Sequence, residues 1–153
     1  MKAGKIRFAG VSNFSRHQME RLQKIHPVAS LQPPYSPMQN GLPAGMFTRE
    51  RVAALPPDDW RRGSPFFTEP ALSHNLRLVE GLRGIASRGK RSVGELVVAW
   101  VLRRPEVTSA IVGSRRPGQV ADTAAAADRP LTPEEDREIV KLLAERQAGM
   151  TGA

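Results

Sequence analysis

The sequence contains no cysteine. That excludes disulfides, thiol catalysis and zinc sites built on cysteine. Aromatic residues are scarce, at 5% of the chain with one tyrosine, which is poor material for a surface that stacks on nucleic-acid bases. No apolar run approaches the roughly 18 residues that span a membrane. The opening "MKAGKIRFAG" has no apolar signal core, so export is not expected and a cytoplasmic address is. Acidic residues are the minority charge, 15 against 23 Lys and Arg, for a net charge of +8. Such a balance suits a polyanion, either nucleic acid or a phosphate-bearing cofactor. The basic residues are dispersed, however, and arginine doubles up only at Arg61-Arg62, Arg103-Arg104 and Arg115-Arg116. A dispersed charge with few aromatics argues against nucleic-acid binding.

What is present fits one soluble domain: 153 residues, 40% of them hydrophobic and 25% charged. The stretch from Lys5 to Asn13 begins strand-like and ends at Gly10, Ser12 and Asn13. Ser15 with Gln18 forms a capping box for a helix whose Met19, Leu22 and Ile25 share one face. Pro27 stops that helix, and Val28 to Gln32 reads as a second strand. Strand, helix, strand is the crossover unit of a parallel sheet. From about 40 to 75 proline and glycine punctuate a long loop, with at most a turn of helix near Thr48 to Ala54. Its Trp60, Phe66 and Phe67 imply that it packs on something. Regular patterns then return. A helix carries Leu76, Val79, Leu82 and Ile85 and ends near Gly89. Ser92 and Glu95 cap the next helix, with a stripe of Val93, Leu96, Val97, Trp100 and Val101. Val107 to Gly113 is β-branched and apolar and predicts a third, buried strand. Pro117 and Gln119 open an alanine-rich helix to about Asp128. Thr132, Pro133 and Glu135 start a final helix that buries Ile139, Leu142 and Leu143.

The stretches "GKIRFAGVSNFS", "SLQPPYS", "YSPMQNGL" and "AIVGSRRPGQV" together resemble the C-terminal half of an aldo-keto reductase, in the family's order and across nearly the whole chain. The resemblance implies an α/β fold: a partial (β/α)8 TIM barrel with about three parallel strands and C-terminal helices, forming a single truncated domain over 1–153. It implies descent from enzymes that reduce carbonyls to alcohols by hydride transfer from NADPH, with NADP(H) lying across the C-terminal strand ends. By resemblance, Ser12, Asn13 and Gln32 hydrogen-bond the nicotinamide carboxamide and Tyr35 stacks on its ring. Gly113, Ser114 and Arg115 take the adenosine end. Arg115 meets the 2′-phosphate, and Gln119 lies near the adenine and its ribose. The side chains suit these roles. A carboxamide presents donors and acceptors that Ser, Asn and Gln can match. A guanidinium fork suits phosphate, and a helix start at Pro117 offers free N–H groups to an anion. Read without the resemblance, "SNFSRHQ" is more simply a helix cap and "SRRPGQ" a surface turn.

The sequence departs from the family in several places. The family's catalytic tyrosine, lysine, aspartate and histidine belong to the half of the barrel that the resemblance does not cover. The one tyrosine, Tyr35, matches the stacking aromatic. His17, His26, His74, Lys5 and Lys24 match no catalytic position. No catalytic residue and no metal ligand is therefore assigned, and the chain by itself is expected not to reduce carbonyls. Family members also separate "QPPYS" from "YSP" by a helix and a strand. Here the two share one Tyr35-Ser36 pair, which reads as an internal deletion or, alternatively, as a native tight loop in an unrelated α/β domain. Thr123 replaces a common asparagine near the adenine. Pro43 and Met46 alter a loop that often carries leucine and a basic residue. Both changes weaken the expected hold on the cofactor. An alternative function is a non-enzymatic nucleotide-binding or interaction module completed by a partner. Exposed sheet edges would also permit self-association.

Overall fold

Gly10 lacks a side chain, and that is what lets the first two strands approach: a Cβ there would lie 2.4 Å from Ser30 Oγ. β1 (Gly10–Ser12) and β2 (Ser30–Gln32) pair in parallel, with Gly10 opposite Ser30, Val11 opposite Leu31 and Ser12 opposite Gln32. Ala29 N–H donates to the Ala9 carbonyl just before the ladder, at 2.8 Å. Between the strands runs α1 (Arg16–Gln23). Its start is the expected capping box: Ser15 N–H donates to Gln18 Oε1 at 2.8 Å, and Gln18 N–H donates to Ser15 Oγ at 3.3 Å. Both strands are shorter than the sequence suggests. Ile25 is 82% exposed, because α1 ends two residues before it. The computed structural model describes residues 4–33, 41–42, 46–114 and 117–151. These fall in two compact units, Met1–Tyr35 and Ser36–Ala153. In the first unit, no residue from 4 to 33 is buried.

The second unit is built from helices. Thr48 Oγ1 accepts from Arg51 N–H and caps α2 (Arg49–Ala53), followed by a 3-10 turn at Trp60–Gly63 that Asp59 caps. Phe47 and Phe67 meet edge to face with centroids 5.1 Å apart and join Leu42, Leu55 and Val79 in a small core. The long loop does pack, as expected, but through Phe47 and Phe67. Trp60 is 61% exposed.

Three longer helices follow: α3 (Ala71–Arg88), α4 (Val93–Leu102) and, after a gap, α6 (Pro133–Thr151). α5 (Gln119–Ala124) continues into a 3-10 turn at Ala125–Ala127. Leu82, Ile85, Ala86, Leu96 and Ile139 make the main core between α3, α4 and α6. Gly81 sits where α3 meets α6: a Cβ there would lie 2.6 Å from a Leu142 methyl. α4 is apolar on more than the expected stripe. Val98 and Ala99 are buried against Ala126, in addition to Leu96 on the other side.

Charged residues lock the helix ends together. Arg91 donates through Nη2 to both Glu135 carboxylate oxygens, at 2.9 and 2.8 Å, with its side chain 5% exposed. Glu135 Oε2 also accepts from Thr132 N–H, while Thr132 Oγ1 accepts from Glu135 N–H, completing the expected start of α6. Arg129 donates to the Gly89 carbonyl at 2.7 Å and to Glu95 at 2.8 Å. Glu95 thus spends its carboxylate on Arg129, while its N–H takes the Ser92 cap.

The third strand is a correction. Residues 107–113 pair with no strand among the described residues, and the sheet there has two strands rather than three. Ala110 and Val112 pack on the Val98, Ala99 and Ala126 cluster, whereas Ile111 between them is 63% exposed. The alternation is that of a strand, but a ladder needs a neighbour's backbone groups.

Candidate functional site

Parallel pairing in register carries the C-terminal ends of β1 and β2 to one place. Ser12 and Gln32 face each other across the ladder, and Asn13 N–H donates to the Gln32 carbonyl at 3.0 Å. Asn13 has φ 59°, a left-handed conformation that asparagine tolerates better than most residues. It turns the chain out of the strand and into the Ser15 cap. All three side chains are exposed. Together they offer a hydroxyl and two amides, a set of donors and acceptors that fits a carboxamide or a sugar hydroxyl. None of them titrates near neutrality, so the group can hold and orient a ligand but cannot act as an acid or base.

In the second unit, Gly113 and Ser114 end the extended segment and are exposed. Gln119 is the first residue of α5. The helix expected to start at Pro117 begins there instead, after a turn at Gly118 with φ 86°. Thr123 Oγ1 donates to the Gln119 carbonyl at 2.9 Å. Tyr35 and Arg115 lie outside the described residues, as does most of the joint between "QPPYS" and "YSP". The structure therefore brings Ser12, Asn13 and Gln32 together in the first unit, and Gly113, Ser114 and Gln119 onto one short stretch of the second.

The shifted titrations belong to helix starts, not to a catalytic centre. Glu69 is held below the usual carboxylate range by hydrogen bonds from the Ser73 hydroxyl and backbone, with Arg49 adding to them. Glu50 is lowered by its own backbone N–H and by Thr48. The Asp59 carboxylate raises Arg61. Among the described residues, no group of three or more His, Asp and Glu could hold a metal ion. No helix there is long and apolar enough to cross a membrane.

The sequence reading missed one feature. A cavity of about 190 Å³ lies between α3, α4 and α6, with apolar walls and with Asn75, Trp100 and Arg146 among its lining residues. Asn75 is 2% exposed, donates to the Phe66 carbonyl at 2.8 Å and accepts from Arg146 Nε at 2.6 Å. The signal was present: Asn75 falls in helical step with Leu72, Val79 and Leu82, a polar residue on a buried stripe.

Comparison with known proteins adds a lineage to this geometry. The profile of the Aldo/keto reductase family matches residues 40–144. Aldo-keto reductase YhdN of Bacillus subtilis is 30% identical over 167 aligned positions, taking in 92% of this chain and 50% of the relative. The alignment is longer than the chain's 153 residues, so the relative carries residues opposite gaps here. Aldo-keto reductase yakc of Schizosaccharomyces pombe, whose name specifies NADP(+), is 27% identical over 76% of this chain and 42% of its own. The structure of a glycerol dehydrogenase from Gluconobacter oxydans matches with a TM-score of 0.83 at 29% identity, over 95% of this chain and 51% of that one. The chain spans about half the length of the relatives it matches.

Proposed function

Because the chain belongs to the aldo/keto reductase family, we propose that it retains a cradle for NADP(H) while lacking, by itself, the groups that complete carbonyl reduction. One observation carries the reading: Ser12, Asn13 and Gln32 stand together at the C-terminal ends of paired parallel strands, the end at which barrels of this kind build their sites. When bound, the cofactor would supply the hydride. Ser12, Asn13 and Gln32 would orient its carboxamide, and Tyr35 would back the ring. Gly113 and Ser114 would pass close to the adenosine end, with Gln119 near the adenine and its ribose. Arg115 would offer a fork to the 2′-phosphate. By the family's pattern the proton donor would belong to the other half of the barrel, and general acid catalysis alone contributes roughly a hundred- to ten-thousand-fold.

Titration of the 153-residue chain with NADPH and NADH tests the cradle. NADPH is expected to bind more tightly, and Arg115→Ala to erase the difference while leaving NADH nearly unchanged. A charge-assisted contact is worth about 1.5–3 kcal/mol, so equal affinities in the unsubstituted chain would overturn the assignment. Steady-state oxidation of NADPH with a reactive aldehyde tests the second clause. Turnover like that of a full-length relative would refute it.

A second reading is favoured by the first unit itself. Phe8 is 74% exposed and Ile25 82%, and nothing from 4 to 33 is buried. A two-stranded sheet of this size is marginal without a covering layer. We propose that a partner polypeptide or a second copy covers it. Light scattering over a concentration series tests for the second copy. A strictly monomeric chain whose β1 and β2 amides are nonetheless strongly protected would rule out any need for cover.

A further inference from the structure

We propose that the cavity between α3, α4 and α6 binds a small aromatic monocarboxylate, with its ring among the apolar walls and its carboxylate on Arg146. The site shares no residue with the proposed cofactor cradle and does not depend on the reading above.

Size sets the scale. At about 190 Å³ the cavity exceeds the ~150 Å³ apolar hole that accepts benzene. It falls short of the ~300 Å³ where drug-sized pockets begin. One ring with a short substituent fills it. The walls include Leu78, Leu82, Val97 and Leu143, and the aromatic faces of Phe66 and Trp100 suit an occupant ring.

Charge sets the chemistry. Four arginines around these helices are paired with carboxylates, Arg88 with Glu138, Arg91 with Glu135, Arg103 with Asp136, and Arg129 with Glu95, and of those without such a pair Arg146 is the one that lines the cavity. Among the described residues its hydrogen-bond partner is a neutral amide, Asn75 Oδ1 at 2.6 Å from Nε. Asn75 is itself fixed by the Phe66 carbonyl. A buried amide therefore aims the guanidinium, and its Nη edge remains for a carboxylate, the acceptor that a guanidinium fork matches best. The Trp100 indole N–H is buried, without a hydrogen-bond partner among the described residues, and the Arg103 guanidinium stacks 3.8 Å from the ring centroid. A ring so fixed in the cavity wall reports on an occupant beside it.

The test is a titration of the whole chain with phenylacetate, against 2-phenylethanol as its neutral counterpart, followed through the Trp100 indole N–H resonance. Trp60→Phe removes the other indole signal. The expected result is saturable binding, tighter for phenylacetate by about tenfold or more, with the indole signal moving. Arg146→Gln should level the two ligands, and Val97→Phe should fill the cavity and weaken both. If either variant fails to fold, the comparison in the unsubstituted chain still decides. Equal affinity for the two ligands, or no saturation by either up to about 10 mM, overturns the proposal.

Discussion

The main-chain N–H of Asn13 donates to the carbonyl of Gln32 at 3.0 Å, so one hydrogen bond fixes the distance between two residues proposed to share a ligand. Directly after that bond Asn13 adopts φ 59°, and the chain turns out of the strand. Asn13→Val should cost about 1–2 kcal/mol of local stability, since a β-branched residue is strained there. Asn13→Gly should keep the turn and lose only the side chain. Hydrogen exchange at residue 13 separates the two. The glycine variant should keep its protection while NADPH affinity falls. Equal loss of protection in both would mean that the conformation is not what holds the turn.

Arg91 and Glu135 form a bidentate pair with side chains 5% and 12% exposed. Arg91→Met leaves the Glu135 carboxylate buried without its cation. Breaking a buried pair in this way costs about 3–5 kcal/mol. Chemical denaturation should show the loss as a lower midpoint. By contrast, Arg16→Met should move the midpoint little, because the Arg16–Glu20 pair is exposed.

At Gly81 two effects oppose each other. Alanine gains about 1 kcal/mol of helix propensity over glycine, but its Cβ would lie 2.6 and 2.7 Å from the Leu142 methyls and 3.2 Å from Leu142 Cγ. Overpacking costs about 1–3 kcal/mol, so Gly81→Ala should lower the thermal midpoint. Adding Leu142→Ala should reverse the sign of the Gly81→Ala effect, a coupling that a double-mutant cycle would read directly.

The Glu69 carboxyl titrates below the ordinary carboxylate range, chiefly through the Ser73 hydroxyl. A lowered folded-state pKa means that the contribution is fully present above the unfolded-state pKa, about 4.3 for glutamate. It is lost as pH falls through the folded value. Thermal midpoints measured downward from neutrality should therefore drop more steeply in the unsubstituted chain than in Glu69→Gln. Parallel curves would remove Glu69 from the account of how α3 begins.

Local signals were legible where chemistry between near neighbours decides. The Ser15–Gln18 box and the Thr132–Glu135 start follow from short-range patterns in the chain, and the parallel pairing of the first two strands from the strand, helix, strand order. What the sequence could not show depends on distant neighbours. Val107 to Gly113 has strand composition, yet a ladder depends on which backbone lies alongside. Ala110 and Val112 found helices to pack on instead. Ile25 had the right spacing for α1, but the helix stopped short of it. Asn75 stands out as a polar residue on a buried stripe, but nothing within its own helix points to Arg146, 71 residues away. Only their meeting in three dimensions makes a polar corner in an apolar cavity.

Arg129 has a consequence for how the chain is made. It reaches back 34 residues to Glu95 and 40 to the carbonyl of Gly89, while Glu135 reaches back 44 to Arg91. A ribosome adding about 5–20 residues per second delivers α3 and α4 seconds before either partner exists. Through that interval Glu95 and Arg91 have to stay in water. The helical unit thus has a last stone, α6 with the turn before it, and until that stone is laid the rest of the arch cannot close.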